Sequence, residues 1–233
     1  HLLIKINITH PDAATITSQV LTAWSADRQA GLDAIMLSPT RDLVAQLNHH
    51  ARALRLHGAN PGREVRLADG NAASVGDLVI TRRNNRTLRS RGGDWVKNGD
   101  RWTITSVHRD GSLTARHHHS SRTIRLPADY VEAWTELGYA TTIHTAQGVT
   151  ADTCHGLLTG TETRQQLYTM ATRGRYANHL HLQVTGDGQP HPALDHDSIT
   201  DRSSLDLLQA ILDRDEQAVS ATTRARHATD PAT

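Results

Sequence analysis

The stretch Leu167–Leu182, LYTMATRGRYANHLHL, sets two arginines, Arg173 and Arg175, between a segment of helical spacing and an alternating His-Leu-His-Leu run. Leu167, Met170 and Ala171 fall on one face of a helix, whereas His179 to Leu182 alternate as a strand does. A guanidinium is costly to bury alone, and no carboxylate lies nearby in the chain. Two arginines at a helix end just ahead of a strand therefore point either to an anionic ligand or to a neutralised helix C-terminus.

Outward from this stretch the pattern repeats. TCHGLL (Thr153–Leu158) and YATTIH (Tyr139–His144) read as strands, the second running into TAQG. Near the N-terminus, residues 11–29 read as a helix capped by Asp12, with Ile16, Val20, Leu21 and Trp24 at helical spacing. Leu32–Leu37 is a short apolar run, Ser38-Pro39-Thr40 a turn, and Leu43, Val44, Leu47, Ala51 and Leu54 one face of a second helix. Strand, tight turn and helix in alternation predict an α/β fold on a parallel sheet.

The middle of the chain reads differently. VGDLVITRRNN, DRWTITSVHRDGSLTARHHH and RTIRLP are β-branched segments broken by Asn98-Gly99 and Asp110-Gly111, which are hairpin signals. They predict a small antiparallel barrel of SH3-like type inserted into the α/β unit. The expected division is therefore residues 1–75 and 127–185 for the α/β domain, 76–126 for the insert, and 186–233 for a C-terminal loop, a helix over Leu205–Val219 and a polar tail. Charge is concentrated in the insert: residues 76–126 carry eleven Arg and Lys against four acids, a net +7, so the rest of a chain of net +1 carries −6. A local excess of that size is the footprint of a polyanion partner.

Composition narrows the class further. With 37% hydrophobic residues but no Phe, the core must be built from Leu, Val, Ile and Ala around four Trp and four Tyr. A single Cys excludes a disulfide framework and a CxxC zinc site. No apolar run reaches the roughly 18 residues of a membrane span, and HLLIKINITH lacks the plan of a signal peptide. These features predict a cytoplasmic protein, and the missing initiator Met predicts a piece of a longer one. Alternation along a strand would put His117 and His119 on one face and His118 on the other, so the run predicts no metal site.

Two segments resemble motifs V and VI of superfamily 1 helicases of the RecD-like and Pif-like branch: Thr142-Ile143-His144-Thr145-Ala146-Gln147-Gly148, and Leu167 through Arg175. LDAIMLSPTRDLVAQLN also looks like the opening of the second RecA-like motor domain of that branch, and the insert like its SH3-like subdomain. The overall texture is most similar to the helicase half of conjugative relaxases, which unwind plasmid DNA for transfer. By this resemblance Arg173 is the arginine finger that meets the γ-phosphate; Gln147, Gly148 and Arg173 contact nucleotide, Gln147 bridging it to DNA, and Arg175 is an auxiliary phosphate contact or a structural ion pair. Thr142, His144 and Thr145 contact DNA. Together with Arg82, Arg83, Arg86, Arg89 and Arg91 of the basic loop they form a path for single-stranded DNA, with Trp95 the nearest residue for base stacking.

The resemblance further implies ATP and Mg2+ as cofactors of the full-length protein, bound with a second RecA-like domain that carries the Walker motifs on the same polypeptide. This chain has no G-x-x-x-x-G-K-[ST] run, and its one Asp-Glu pair, Asp215-Glu216, follows no apolar strand, so it is expected to be inactive alone and to bind no cofactor by itself. It also lacks the His cluster and tyrosine arrangement of a nicking domain. Two rivals follow: a non-enzymatic nucleic-acid-binding module that has kept the fold, and a RecD-like repair helicase.

Overall fold

The computed structural model describes residues 3–9, 13–90, 93–118, 120, 122–146, 148–183 and 204–215. The chain opens with β1 (Leu3–Thr9), whose LIKINIT alternation was not read as a strand, and continues into α1 (Ala13–Gln29). The predicted cap Asp12 lies outside the described residues. β2 (Ala34–Ser38) is buried at every position, as a central parallel strand should be. The Thr40 side chain accepts from Leu43 N and caps α2 (Arg41–Leu56), which ends on His57 in the left-handed region at φ 46°.

The hairpin β3 (Val65–Arg66) and β4 (Ala72–Ala73) leads to β5 (Leu78–Thr81), β6 (Asn85–Arg89), β7 (Trp95–Val96), β8 (Arg101–Val107), β9 (Leu113–His117) and β10 (Thr123–Leu126). After the short helix α3 (Ala128–Trp134) come β11 (Thr135–Leu137) and β12 (Ala140–Thr142), then a single 3-10 turn at His144–Ala146. β13 (Ala151–Leu158), α4 (Arg164–Ala171), β14 (Gly174–Gln183) and α5 (Ser204–Asp213) complete the described chain. α5 stops at Asp213, short of the predicted Val219, and Asp215 beyond it pairs with Arg164 at 2.5 Å.

Two five-stranded sheets result. The first runs β1-β14-β13-β2-β12 with every neighbour parallel, flanked by helices, which is a RecA-like arrangement. The second is antiparallel, ordered β10-β9-β8-β5-β11. Its edge strand Thr135–Leu137 lies beyond residue 126, so this sheet is not confined to the segment 76–126.

Apolar packing crosses between the sheets. Trp24, Met36 and Leu157 of the parallel layer belong to one buried cluster with Val79, Trp102, Ile104 and Leu126 of the antiparallel layer. Trp24 also donates from Nε1 to Ala34 O at 3.1 Å and meets the Tyr139 ring edge-on. Polar ties reinforce the joint. Asp77, fully buried, accepts from Arg52 Nε, Arg55 Nε, Ser74 N and Tyr139 Oη at 3.0, 2.7, 2.7 and 2.6 Å, linking α2 to the start of β5. Asn48 closes both of its amide groups on the backbone of Ala140, fixing α2 against the edge strand β12.

A buried histidine cluster is incompletely satisfied. His155, His179 and His181 stack beneath α1, where His155 Nε2 meets Asp27 Oδ2 at 2.9 Å. Neither ring nitrogen of His181 has a hydrogen-bond partner. Burial, reinforced by the neighbouring histidines, depresses the pKa of both His155 and His181 to about 4. The unfolded chain therefore binds protons that the folded chain excludes, so stability should fall as pH drops from about 6.5 toward 4, by up to about 1.4 kcal/mol per pH unit for each histidine. His181→Leu should flatten that slope and cost little at pH 7, since it removes two unpaired buried nitrogens. Melting curves at pH 7, 6 and 5 measure this; an unchanged acid slope in the variant would contradict it.

Candidate nucleotide and nucleic-acid site

The 3-10 turn after β12 and the arginine pair at the start of β14 are drawn together by two contacts. Ala151 N donates to Arg173 O at 3.1 Å, so the chain just past Gly148 runs beside the arginines. Gln166 Nε2 lies 3.1 Å from His144 Nε2, while Gln166 also completes the capping box of α4 with Thr163. A 3-10 turn, rather than an α-helix, therefore follows the strand here. Thr145 Oγ1 lies 2.7 and 2.8 Å from the hydroxyls of Thr141 and Thr142, holding the turn shut. His144 and Thr145 are exposed and Thr142 is half-buried. Gly148 is exposed at φ 84°, a conformation that favours glycine, with open space where a side chain would stand. Gln147 lies outside the described residues.

The Arg-Gly-Arg backbone is set by its neighbours. α4 ends at Ala171, and the strand begins at Gly174. The Asn178 side chain accepts from Gly174 N at 2.7 Å and donates to Gly174 O at 3.1 Å. A Cβ on Gly174 would lie 2.1 Å from Ala177 O, so only glycine fits between the arginines. Arg175 is therefore a strand residue and not, as its sequence position suggested, part of a helix end. It is half-exposed, and its Nη2 lies 3.6 Å from Asp152 Oδ1.

Arg173 differs. Its Nη2 donates to Thr172 Oγ1 at 3.1 Å, but its Nε is buried with no hydrogen-bond partner, and no carboxylate pairs with it among the described residues. An orphaned guanidinium donor of this kind suits an anionic oxygen supplied from outside. Cys154, close to Arg173, is no nucleophile: burial pushes its thiol up to about 12, outweighing the pull of the Arg173 and Arg101 charges.

The basic loop divides into two groups. Arg83, Arg86 and Arg89 are exposed and make no carboxylate contact among the described residues; Arg83 lies over the Trp134 ring at 4.8 Å and Arg86 over Trp95 at 5.5 Å. Arg89 bonds only the carbonyls of Arg86 and Gly93. Arg82 is a correction: it is half-buried, with Nε on Glu136 Oε2 at 2.6 Å and Nη2 on Thr141 Oγ1 at 2.9 Å. It ties the antiparallel sheet to β12 of the parallel sheet instead of facing solvent. Arg91 lies outside the described residues.

Trp134 was missed in the sequence, where it looks like an ordinary helical residue; its signal is an aromatic at the end of a short helix, 37% exposed. His117 ends β9 edge-on to Trp102, His118 sits in the turn beyond, and His119 lies outside the described residues. No group of three His, Cys, Asp or Glu able to hold a metal occurs among the described residues, and no described helix is long and apolar enough to cross a membrane.

Comparison with known proteins agrees with this architecture. No family profile matches the chain. It is 32% identical over 98 residues to the uncharacterized protein Rv2311 of Mycobacterium tuberculosis (strain ATCC 25618 / H37Rv), a match spanning 41% of this chain and 56% of that protein. The same match is found to the uncharacterized protein MT2373 of strain CDC 1551 / Oshkosh. The chain thus spans little more than half the length of the curated relatives it matches. Among solved structures, the Bacteroides Pif1 helicase in complex with ADP-AlF3 and single-stranded DNA superposes with a TM-score of 0.50 over 84% of this chain and 46% of that one, at 18% identity. The chain therefore has a Pif1-like helicase fold.

Proposed function

We propose that this domain is the second RecA-like motor domain of an ATP-dependent superfamily 1 DNA helicase, with the antiparallel sheet serving as an SH3-like subdomain along the DNA path. The observation that carries the reading is the buried, unpartnered Nε of Arg173 on a Pif1-like fold, beside the turn that follows β12. In this reading Arg173 donates to the oxygens of the transferring γ-phosphoryl group, where negative charge develops, and Gly148 leaves space for a close approach of nucleotide to the backbone. Arg175, already engaged with Asp152, positions the strand. Bound ATP with Mg2+ would supply the transferable phosphoryl group, together with a first RecA-like domain carrying the Walker motifs.

Thr142, His144 and Thr145 line the turn, and Arg83, Arg86 and Arg89, on and before β6, extend the path for single-stranded DNA along the β6–β7 pair. The wider texture of the sequence supports placing the motor in a conjugative relaxase that unwinds plasmid DNA.

The test on this chain is DNA binding. A labelled single-stranded oligonucleotide should bind weakly and lose affinity with salt at a log–log slope of about −2, given three phosphate contacts. Changing Arg83, Arg86 and Arg89 together to alanine should bring that slope near zero. Binding absent at low salt, or insensitive to salt, would contradict the path.

A further inference from the structure

A second basic site lies away from the arginine pair and the loop, where the end of α1 meets β8 and β9. A cavity of about 570 Å³ there is lined by Arg28, Arg116, His117, His118, Thr103 and Ser120, a size within the range of small-ligand sites. Asp100 Oδ1 lies 3.7 Å from the lining residue His117, at Nε2. Behind the lining residue His118 the carboxylate of Asp33 is buried, and Arg101 Nη1 and His118 Nε2 both converge on Asp33 Oδ1, at 2.7 and 2.8 Å.

The Asp33–His118 contact leaves the Arg28 guanidinium without an acceptor among the described residues. Arg28 Nη1 lies 3.4 Å from the same His118 Nε2. A ring nitrogen 2.8 Å from a carboxylate oxygen must carry a proton, because two acceptors at that distance would repel. A nitrogen that donates to Asp33 cannot accept from Arg28, so the Arg28 guanidinium faces another donor. The side chain of Arg116, exposed on β9, makes no hydrogen bond or ion pair with any described residue. Burial pushes Arg101 below its ordinary range; Asp33 resists that shift, while the Arg28 charge adds to it. The geometry points to a phosphate-binding site in this cavity, with Arg28 and Arg116 as the two guanidinium donors and the Ser120 and Thr103 hydroxyls at its wall. The ligand is a phosphate group, either one of a nucleic-acid strand or one on a free phosphate compound. The inference does not rest on the helicase reading, since none of these residues belongs to the arginine pair or to the turn after β12.

The probe is inorganic phosphate against chloride at matched ionic strength, followed by thermal melting of this chain. Phosphate at ten times its Kd should raise the melting temperature by about 3–6 °C. Arg28→Gln and Arg116→Gln should each abolish that rise, whereas Arg109→Gln, an exposed arginine in the turn between β8 and β9 outside the cavity, should keep it. Because Arg116 is exposed and unpartnered, its variant folds even if loss of Arg28 weakens the end of α1. A second arm measures the salt dependence of oligonucleotide binding. If the Arg28→Gln, Arg116→Gln double variant also loses about 0.7 of the log–log slope, the ligand is a strand phosphate; if the slope is unchanged while the phosphate effect is lost, it is a free phosphate compound. No stabilisation by phosphate over chloride, or stabilisation that persists in both variants, overturns the site. Neither result bears on Arg173.

Discussion

Asp77→Ala is expected to lower the unfolding free energy by about 3–5 kcal/mol, the cost of breaking a buried charged network by removing one partner. Asp77 is the shared acceptor of two arginines from α2, a backbone amide and the Tyr139 hydroxyl, and it is fully buried. Its loss leaves Tyr139 Oη and two guanidiniums short of an acceptor, although the arginines are partly exposed and can recruit water, which favours the lower end of the range. Asp77→Asn keeps the shape but not the charge, and should fall between wild type and alanine.

The pH dependence has a definite sign. Burial alone would raise the Asp77 carboxyl, but hydrogen bonds from Tyr139, Ser74 and Arg52, with the Arg55 charge, hold it below the usual carboxylate range. A carboxyl depressed in the folded state contributes stability that is present above about pH 4 and lost as pH falls through its folded value. Urea unfolding of wild type and both variants at pH 7 and pH 3 reads this directly. A difference below about 1 kcal/mol at pH 7 for alanine, no more than an ordinary surface change, would show that the network does not hold the two sheets together.

Much of this architecture was legible in local patterns. The all-buried AIMLS strand and the Thr40 cap follow from hydrophobic run and turn chemistry, and the Asn98-Gly99 and Asp110-Gly111 pairs do mark turns beside β8 and β9. What local pattern could not give was pairing at a distance. Thr135–Leu137 joins the antiparallel sheet by pairing with β5, more than fifty residues earlier, and nothing in its composition says so. Leu3–Thr9 reads as an unremarkable alternating run until β14 is beside it.

The site shows the same division. Arg173 and Arg175 are equivalent as letters, but Asn178, Gly174 and Asp152 separate them, placing one in a strand with a carboxylate and leaving the other with an orphaned donor. Arg82 and Arg83 are adjacent and of one chemical type, yet Glu136 takes the first inward while the second lies over Trp134. A charge count over the insert cannot distinguish them.

The separation of Arg173 from Arg175 leads to the largest expected effect, in the intact protein that carries this domain. If Arg173 stabilises charge on the transferring phosphoryl group, Arg173→Ala should lower ATP turnover by about 10³-fold or more, the low end for an arginine finger. Stability and DNA affinity should change little, because the side chain gives up only a hydrogen bond to Thr172. Lysine should rescue poorly, since a point charge cannot reproduce the planar fork. Arg175→Ala should cost about 1 kcal/mol of stability or less, the worth of an exposed ion pair, and leave turnover nearly intact.

The decisive measurement is the rate of ATP hydrolysis stimulated by single-stranded DNA in that intact protein, for wild type and Arg173→Ala, each accompanied by a melting curve. The motor reading predicts stimulated turnover in wild type and a folded Arg173→Ala protein slowed by about 10³-fold. A wild-type protein without DNA-stimulated hydrolysis, or a folded Arg173→Ala variant keeping more than about a tenth of the rate, would contradict it.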